Sequence, residues 1–317
     1  MSVTTEFPVR RAARVGAALR GLFDLAIGGL LCLSPVTSVI ALGWMMRRMA
    51  ASVDRQSGRI TGRSGWVLGP SGRGWPTRLL GGLAANIREG VKAALALILA
   101  TVPFSLPWLL AWWAGWDNSF NKGYEQAWAG PVLFLAGIAI FLAVMVHLPM
   151  GLARQAATGR WFAALEWREV QIAVRHAGWG HVALAFATVF FALPLFASRA
   201  LVVFVEDIIP GFDALAAQDV AQVAEISGLV VAAYVFASFW WLRCWAARIY
   251  ARAMMRAAAQ TKASNVQGPG WIGRAARLVS LLVIWFGLVV LIVVGQFVNH
   301  SWWAWAQHPA FGLPWFG

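Results

Sequence analysis

The sequence predicts an all-α integral membrane protein with five transmembrane helices and an N-terminal re-entrant helical hairpin; the alternative is six transmembrane helices. Three observations lead there. Of the 317 residues, 60% are hydrophobic and 12% charged, about half the charged share of an ordinary soluble domain. The apolar residues gather into runs of the roughly 20 residues that a helix needs to cross hydrocarbon. Strand alternation is absent, and backbone polar groups in lipid must be satisfied within the segment, so helices are expected rather than a barrel.

The five full spans are read at residues 93–116, 127–153, 182–198, 226–242 and 278–298. They form a single polytopic domain with a membrane core over 93–298. Lysine and arginine divide unevenly between the connections. The stretch 47–92 holds nine, 154–178 holds four, and 243–277 holds seven with no acid. By contrast 117–126 holds only Lys122, and 199–225 sets Arg199 against five acids. The Trp-rich tail 299–317 has neither lysine nor arginine. Basic connections stay on the cytoplasmic side. That places the protein in a bacterial inner membrane, with a cytoplasmic N-terminus at 1–21 and a periplasmic C-terminus.

The first apolar run, 22–46, has arginines on both sides, and each side is expected in the cytoplasm. Pro35 divides it into pieces too short to span at 1.5 Å per residue. Proline also removes a helical donor and pushes Ser34 toward extended geometry. The expectation is a hairpin with its tip at Pro35, Val36, Thr37 and Ser38, covered by other helices. The run ends in Arg47-Arg48 without a clear cleavage site, so it does not read as a cleavable signal peptide.

Net charge is +13, but it is shared among loops and does not form a nucleic-acid face. Residues 77–92 are amphipathic: Leu79, Leu80, Leu83, Ile87 and Val91 share one face, and Arg78, Arg88 and Lys92 surround it. With Pro76 in the first turn, this reads as an interfacial helix leading into the first span. A second interfacial helix is read at 161–176, where Glu166 and Glu169 share a face beside arginines. Arg248, Arg252 and Arg256 recur every four residues. They make a stripe for anionic lipid headgroups or an acidic partner, provided that the fourth span's helix continues past its membrane segment. The glycine-rich stretch 57–74 lacks the spacing of a phosphate loop and reads as a linker.

Three stretches, "SPVTSVIALGWMMRRM", "GWPTRLLGGLAANIREGVKAALALILATVPFSLPW" and "ARQAATGRWFAALEWREV", occur in an order and spacing that resemble an uncharacterised prokaryotic multi-pass membrane family, the domain of unknown function numbered 4013. The resemblance covers about the first 200 residues. It implies architecture and no activity.

No cofactor or metal is predicted. His147 and His181, near the inner ends of their spans, are the residues a haem or pigment would use. Cys32 and Cys244 lack a CxxC partner and read as buried or interfacial thiols. Many of the 20 tryptophans fall near span ends, as aromatic belts do. No catalytic constellation emerges. The expectation is a non-enzymatic accessory, structural or assembly subunit of a membrane complex, bound to anionic lipids and other membrane proteins. A small-solute transporter or channel is the alternative: Pro103, Pro107 and Pro194 interrupt spans, but buried ionisable groups are scarce. A lipid-processing enzyme ranks third.

Overall fold

A computed structural model describes residues 6–59, 67–68, 74–113, 128–203, 211–212, 216–262 and 270–298, with side chains at 6–18, 112–113, 198–203, 261–262 and 294–298 left out. The elements are α1 (Glu6–Leu31), α2 (Pro35–Gln56), α3 (Trp75–Trp113), α4 (Ala129–Thr158), a 3-10 turn (Ala163–Leu165), α5 (Trp167–His176), α6 (Trp179–Val203), α7 (Ala217–Lys262) and α8 (Trp271–Val298). All regular structure among the described residues is helical. Five helices, α3, α4, α6, α7 and α8, are long and apolar enough to cross a membrane. Each coincides with one predicted span. The protein is a multi-pass α-helical membrane protein.

The run 22–46 does break. Its direction can be followed along α7. On α1, Gly28 packs on the ring of Phe236 and Gly29 on Ala233, so α1 ascends as α7 descends. On α2, Trp44 lies 5.4 Å from Phe236 and 4.9 Å from Trp240. Further along, Met45 meets Arg243. The two helices therefore run in opposite senses on one face of α7, and their open ends lie at the same end of it. This is the geometry of a re-entrant pair rather than one kinked crossing.

The turn sits one step earlier than expected. It occupies Cys32–Ser34, and Pro35 begins α2 instead of marking the tip. The reason is local. Proline has its φ preset for a first helical turn and lacks only an N–H that would be unpaired there anyway. Ser34 before it is extended, at φ −127° and ψ 142°. The last carbonyls of α1 are then capped from within the hairpin. Cys32 N–H donates to Gly29 O at 2.9 Å and Leu33 N–H to Leu30 O at 3.3 Å. The Thr37 hydroxyl donates to Leu31 O at 2.8 Å. Protein covers one side of the hairpin: Cys32 of the turn, with Ala41, Trp44 and Met45 of α2, buries against Ala232 and Phe236 of α7. On the other side Leu33, Pro35 and Val36 are exposed, so the tip is not covered by other helices as expected.

The other side of α2 is held by α3. Gly43 faces Asn86 and Gly90 faces Val39, so closely that a Cβ on Gly90 would lie 1.9 Å from the Val39 carbonyl oxygen. Small residues permit this approach of two backbones. Arg47 then reaches across, donating to Asn86 Oδ1 at 2.7 Å and Gly82 O at 3.3 Å. Asn86 Nδ2 donates onward to Val67 O at 3.1 Å. The buried face of α3 is thus Gly82, Asn86 and Gly90. The apolar face Leu79, Leu80, Leu83, Ile87 and Val91 is exposed. Residues 77–92 are not a separate interfacial elbow, because α3 continues without interruption from Trp75 to Trp113.

Antiparallel neighbours complete the bundle. Phe104 of α3 packs edge-on to Phe141 of α4 at 5.1 Å. Phe191 of α6 packs on Trp241 of α7 at 5.4 Å. Trp285 of α8 is fully buried in the same core. Pro103, Pro107, Pro149 and Pro194 lie inside continuous helices and do not interrupt them. In a packed bundle, hydroxyls and neighbouring helices compensate for a lost backbone bond. Thr101 and Ser105, next to the α3 prolines, donate to Leu97 O and Thr101 O; these are not the carbonyls of Leu99 and Pro103 that the prolines leave without an i−4 donor.

Two measurements check this frame. In a protein lacking Cys32 and Cys244, single cysteines placed at Arg20 and at Gln56 label with an impermeant maleimide from the same face of sealed vesicles; labelling from opposite faces would make α1–α2 a single crossing. Gly90→Leu lowers stability in detergent by about 3 kcal/mol or more, since the clash is with backbone and cannot relax by a rotamer change. A melting temperature equal to wild type would contradict the close crossing.

Candidate functional site

The hairpin's open end, the start of α3, the end of α4, α5 and the last turns of α7 meet at one end of the bundle, and this end is basic. Its framework is a set of ion pairs between α4 and the segment after it. Gly159 closes α4 in the left-handed region at φ 69°. Phe162 turns the chain back at φ 57°, placing Glu166 beside Arg154. Arg154 Nε donates to Glu166 Oε2 at 2.8 Å, and its Nη2 contacts the same oxygen. Arg160 pairs with Glu166 Oε1 at 2.8 Å, and Arg154 lies 3.7 Å from Glu169. The Arg154 hydrogen bond holds the Glu166 carboxyl below the usual carboxylate range, against a small upward push from desolvation, and Arg160 adds to the lowering. Glu166 is held by hydrogen bonds to Arg154 and an ion pair with Arg160, and Glu169 faces Arg154 at longer range.

The basic residues singled out in the sequence separate into two groups. Lys92 is buried, donating to Glu89 at 3.1 Å and to Gly159 O at 2.9 Å, with Trp161 over it at 5.5 Å. Arg88 pairs with the same Glu89. Lys92 therefore ties α3 to the end of α4 and does not join Arg78 and Arg88 in a surface site. Arg248, Arg252 and Arg256 do form one exposed stripe, because α7 runs on to Lys262. Arg256 also donates to His176 O at 3.2 Å, which pins the end of α5. Arg48 and Arg55 of α2 lie beside Arg248 around the buried Cys244.

The two histidines have different surroundings. His147 Nδ1 lies 2.8 Å from Ala143 O, and its ring stacks on Trp167 at 3.7 Å. His181 is 1% exposed, and neither ring nitrogen has a hydrogen-bond partner. His147 is near enough to act on it electrostatically. Neither histidine is among the residues that line the cavity beside Arg243. Among the described residues no group of histidine, cysteine, aspartate and glutamate could hold a metal.

The feature the sequence reading missed is Arg243. It was assigned to the start of a loop. It lies instead in the middle of α7, 7% exposed, and lines a cavity of about 110 Å3 between α2, α3, α4, α6, α7 and α8. Its Nη1 is 3.7 Å from Met45 Sδ, and its guanidinium lies 5.5 Å from the ring centre of Phe239, one turn back along the helix. It thus points away from the basic end and into the bundle, where a charge is costly and usually has a task. The rest of the wall is apolar apart from Thr188, Ser238 and the Trp285 indole. A signal was present in the sequence: apolar positions at Ala246, Ile249, Tyr250 and Ala253 continue the helical period past Leu242.

Comparison with family models, with curated proteins and with solved structures found no match.

Glu166 sets a pH dependence. A depressed carboxyl contributes stability above its unfolded value of about 4.3 and loses it as pH falls through the folded value. Wild type is therefore more heat-stable than Glu166→Gln at pH 7, and the gap narrows below about pH 4. A gap unchanged down to pH 3 would show that the pairing does not hold this end together.

Proposed function

We propose that this protein is a non-enzymatic accessory, structural or assembly subunit of a bacterial inner-membrane protein complex. The observation that carries the reading is the exposed Arg248, Arg252 and Arg256 stripe on the end of α7. A helix of 46 residues is about 69 Å long, more than twice the hydrocarbon thickness, so the stripe is presented outside the membrane on a rigid rod. It is braced there by the end of α5, through the Arg256 bond to His176 O and the His176–Gln260 contact at 2.8 Å. Such a surface fits an acidic partner protein or an anionic lipid surface. The ion pairs around Glu166 and Glu169 support a non-enzymatic reading, since they occupy the carboxylates a lipid-processing enzyme would use.

The orientation follows from charge. With the basic end in the cytoplasm, the hairpin enters from that side, the N-terminus lies there, and five crossings leave the C-terminus in the periplasm. The residues 299–317, read as a Trp-rich periplasmic tail, lie outside the described residues, as does most of the linker 57–74.

A small-solute transporter or channel is the second reading. Arg243 at a cavity beside a re-entrant element favours it, because transporters build sites from broken elements and buried charges.

A tagged chain solubilised from its native membrane in mild detergent retains a stoichiometric partner, identified by mass spectrometry. Replacing Arg248, Arg252 and Arg256 by glutamate weakens that association at least about ten-fold and leaves the chain folded. A chain that purifies alone and supports solute flux in liposomes would overturn this reading in favour of transport.

A further inference from the structure

We propose that Arg48 and Arg55 of α2 and Arg248 of α7 form a site for the phosphate of an anionic phospholipid, in the headgroup layer at the basic end. The inference shares Arg248 with the exposed stripe. It does not rest on the subunit reading, because it concerns a cluster that the hairpin and α7 build together.

Three observations carry it. The first is convergence. α2 and α7 lie side by side and run in the same sense. Trp44 packs on Trp240 at 4.9 Å, and one turn further along α2 the Arg48 guanidinium lies 5.6 Å from the ring centre of the same tryptophan. Cys244 follows Trp240 by one turn of α7. Arg48, Arg248 and Arg55 all act electrostatically on its thiol, so this one point locates all three. Arg55 follows Arg48 by two turns on the same face of α2. Its Nε donates to Ala51 O at 3.3 Å, which turns the side chain back toward Arg48. A helical side chain leans toward the preceding turn, which for Arg248 is the turn of Cys244.

The second is charge without a counter-ion. Arg48 is half-buried, and Arg55 and Arg248 are exposed. None of the three forms an ion pair with a described residue. The hairpin's Asp24 and Asp54 are not their partners, and Asp54 is turned inward at 6% exposure. Like charges gathered around one point repel one another. An anion between them removes that cost, and the guanidinium fork matches phosphate oxygens.

The third is depth. The apolar run of α7 that reads as a span ends at Leu242. At 1.5 Å per residue, Cys244 lies about 3 Å beyond that end and Arg248 about 9 Å. Headgroups add about 5 to 7 Å to each side of the hydrocarbon, and the backward lean of Arg248 brings its head into that layer. Arg252 and Arg256, about 15 and 21 Å beyond Leu242, lie outside it. Trp241 is exposed at the same boundary, where aromatic belts sit. A phosphate held at this depth is one tethered to acyl chains.

The test uses the full chain, purified without a partner in mild detergent and immobilised by a tag. Radiolabelled cardiolipin is bound and then displaced by unlabelled cardiolipin, phosphatidylglycerol, the zwitterionic phosphatidylcholine or inorganic phosphate. The expected result is displacement by either anionic lipid at a concentration at least about ten-fold lower than by phosphatidylcholine or inorganic phosphate. Arg48→Gln with Arg55→Gln weakens cardiolipin binding about ten-fold or more. Arg168→Gln with Arg274→Gln removes two exposed charges from α5 and α8 at the same end of the bundle, and leaves binding within about two-fold. Gel filtration and thermal melts show which variants are folded. If the half-buried Arg48 is needed for folding, Arg55→Gln with Arg248→Gln, both at the surface, takes its place with the same expectation. Displacement by phosphatidylcholine as readily as by the anionic lipids overturns the proposal. So does equal weakening by the two pairs of substitutions, which would show only a general attraction of the basic end for anions. Displacement by inorganic phosphate as readily as by lipid would assign the arginines to a soluble anion and overturn the lipid. None of these outcomes bears on whether the chain retains a protein partner.

Discussion

A chain that reverses direction inside hydrocarbon has to give every carbonyl and amide at the turn a partner, and nothing outside the protein will supply one. Much of this structure follows from meeting that condition at Cys32–Ser34. Thr37 and the amides of Cys32 and Leu33 cap the last carbonyls of α1. The capped turn is still irregular, and it is packed on one side only, with Leu33, Pro35 and Val36 exposed. α7 encloses it on one side through Ala232 and Phe236, and α3 holds α2 on the other through Asn86 and Gly90. Glycines at 28, 29, 43 and 90 let these four helices approach closely enough. Hairpin, α3 and α7 are in this sense one unit, with α4, α6 and α8 completing the bundle around it.

The same enclosure explains where Arg243 finds itself. The hairpin lies along the face of α7 from Ala233 to Arg243, so the arginine is roofed by Met45 on a side that would otherwise open to headgroups and water. Its side chain folds back over Phe239. A residue that would mark the end of a span in an unroofed helix becomes part of an interior wall. The basic end is built on a different principle. There, Lys92, Arg154 and Arg160 are held by Glu89, Glu166 and the Gly159 carbonyl, and this fixes the connection between α4 and α5. Arg248 and Arg252 are left at the surface, and Arg256 is shared between the surface and His176.

Much of the architecture was legible because membrane spans are a one-dimensional property. An apolar run of sufficient length must be a helix whatever surrounds it, so all five spans could be placed from the sequence. The break near Pro35 was legible for a similarly local reason, the missing donor and the restricted Ser34. Its placement was one turn late, because proline was read as a breaker where it serves as a first-turn residue. The amphipathic face of 77–92 was seen correctly, and its leucines face outward; what was not legible is that the helix runs unbroken into the span and packs through Gly82, Asn86 and Gly90.

The sequence by itself determined the class of protein, the five full spans, the break near Pro35 and the uneven distribution of positive charge; that the run 22–46 turns back rather than making a sixth crossing was decided by its contacts along α7. Each depends on composition or on the properties of a single residue within its own segment. Tertiary structure alone decided which charges are on the surface and which are inside. Counted along the chain, Arg243, Arg248 and Arg252 belong to one basic stretch and Lys92 to another. They are separated by what packs against them: Arg243 lies beneath the hairpin at a cavity, Lys92 between α3 and the end of α4, and Arg248 and Arg252 on an open helix face. Burial is set by residues far away in the chain, and no local pattern encodes it.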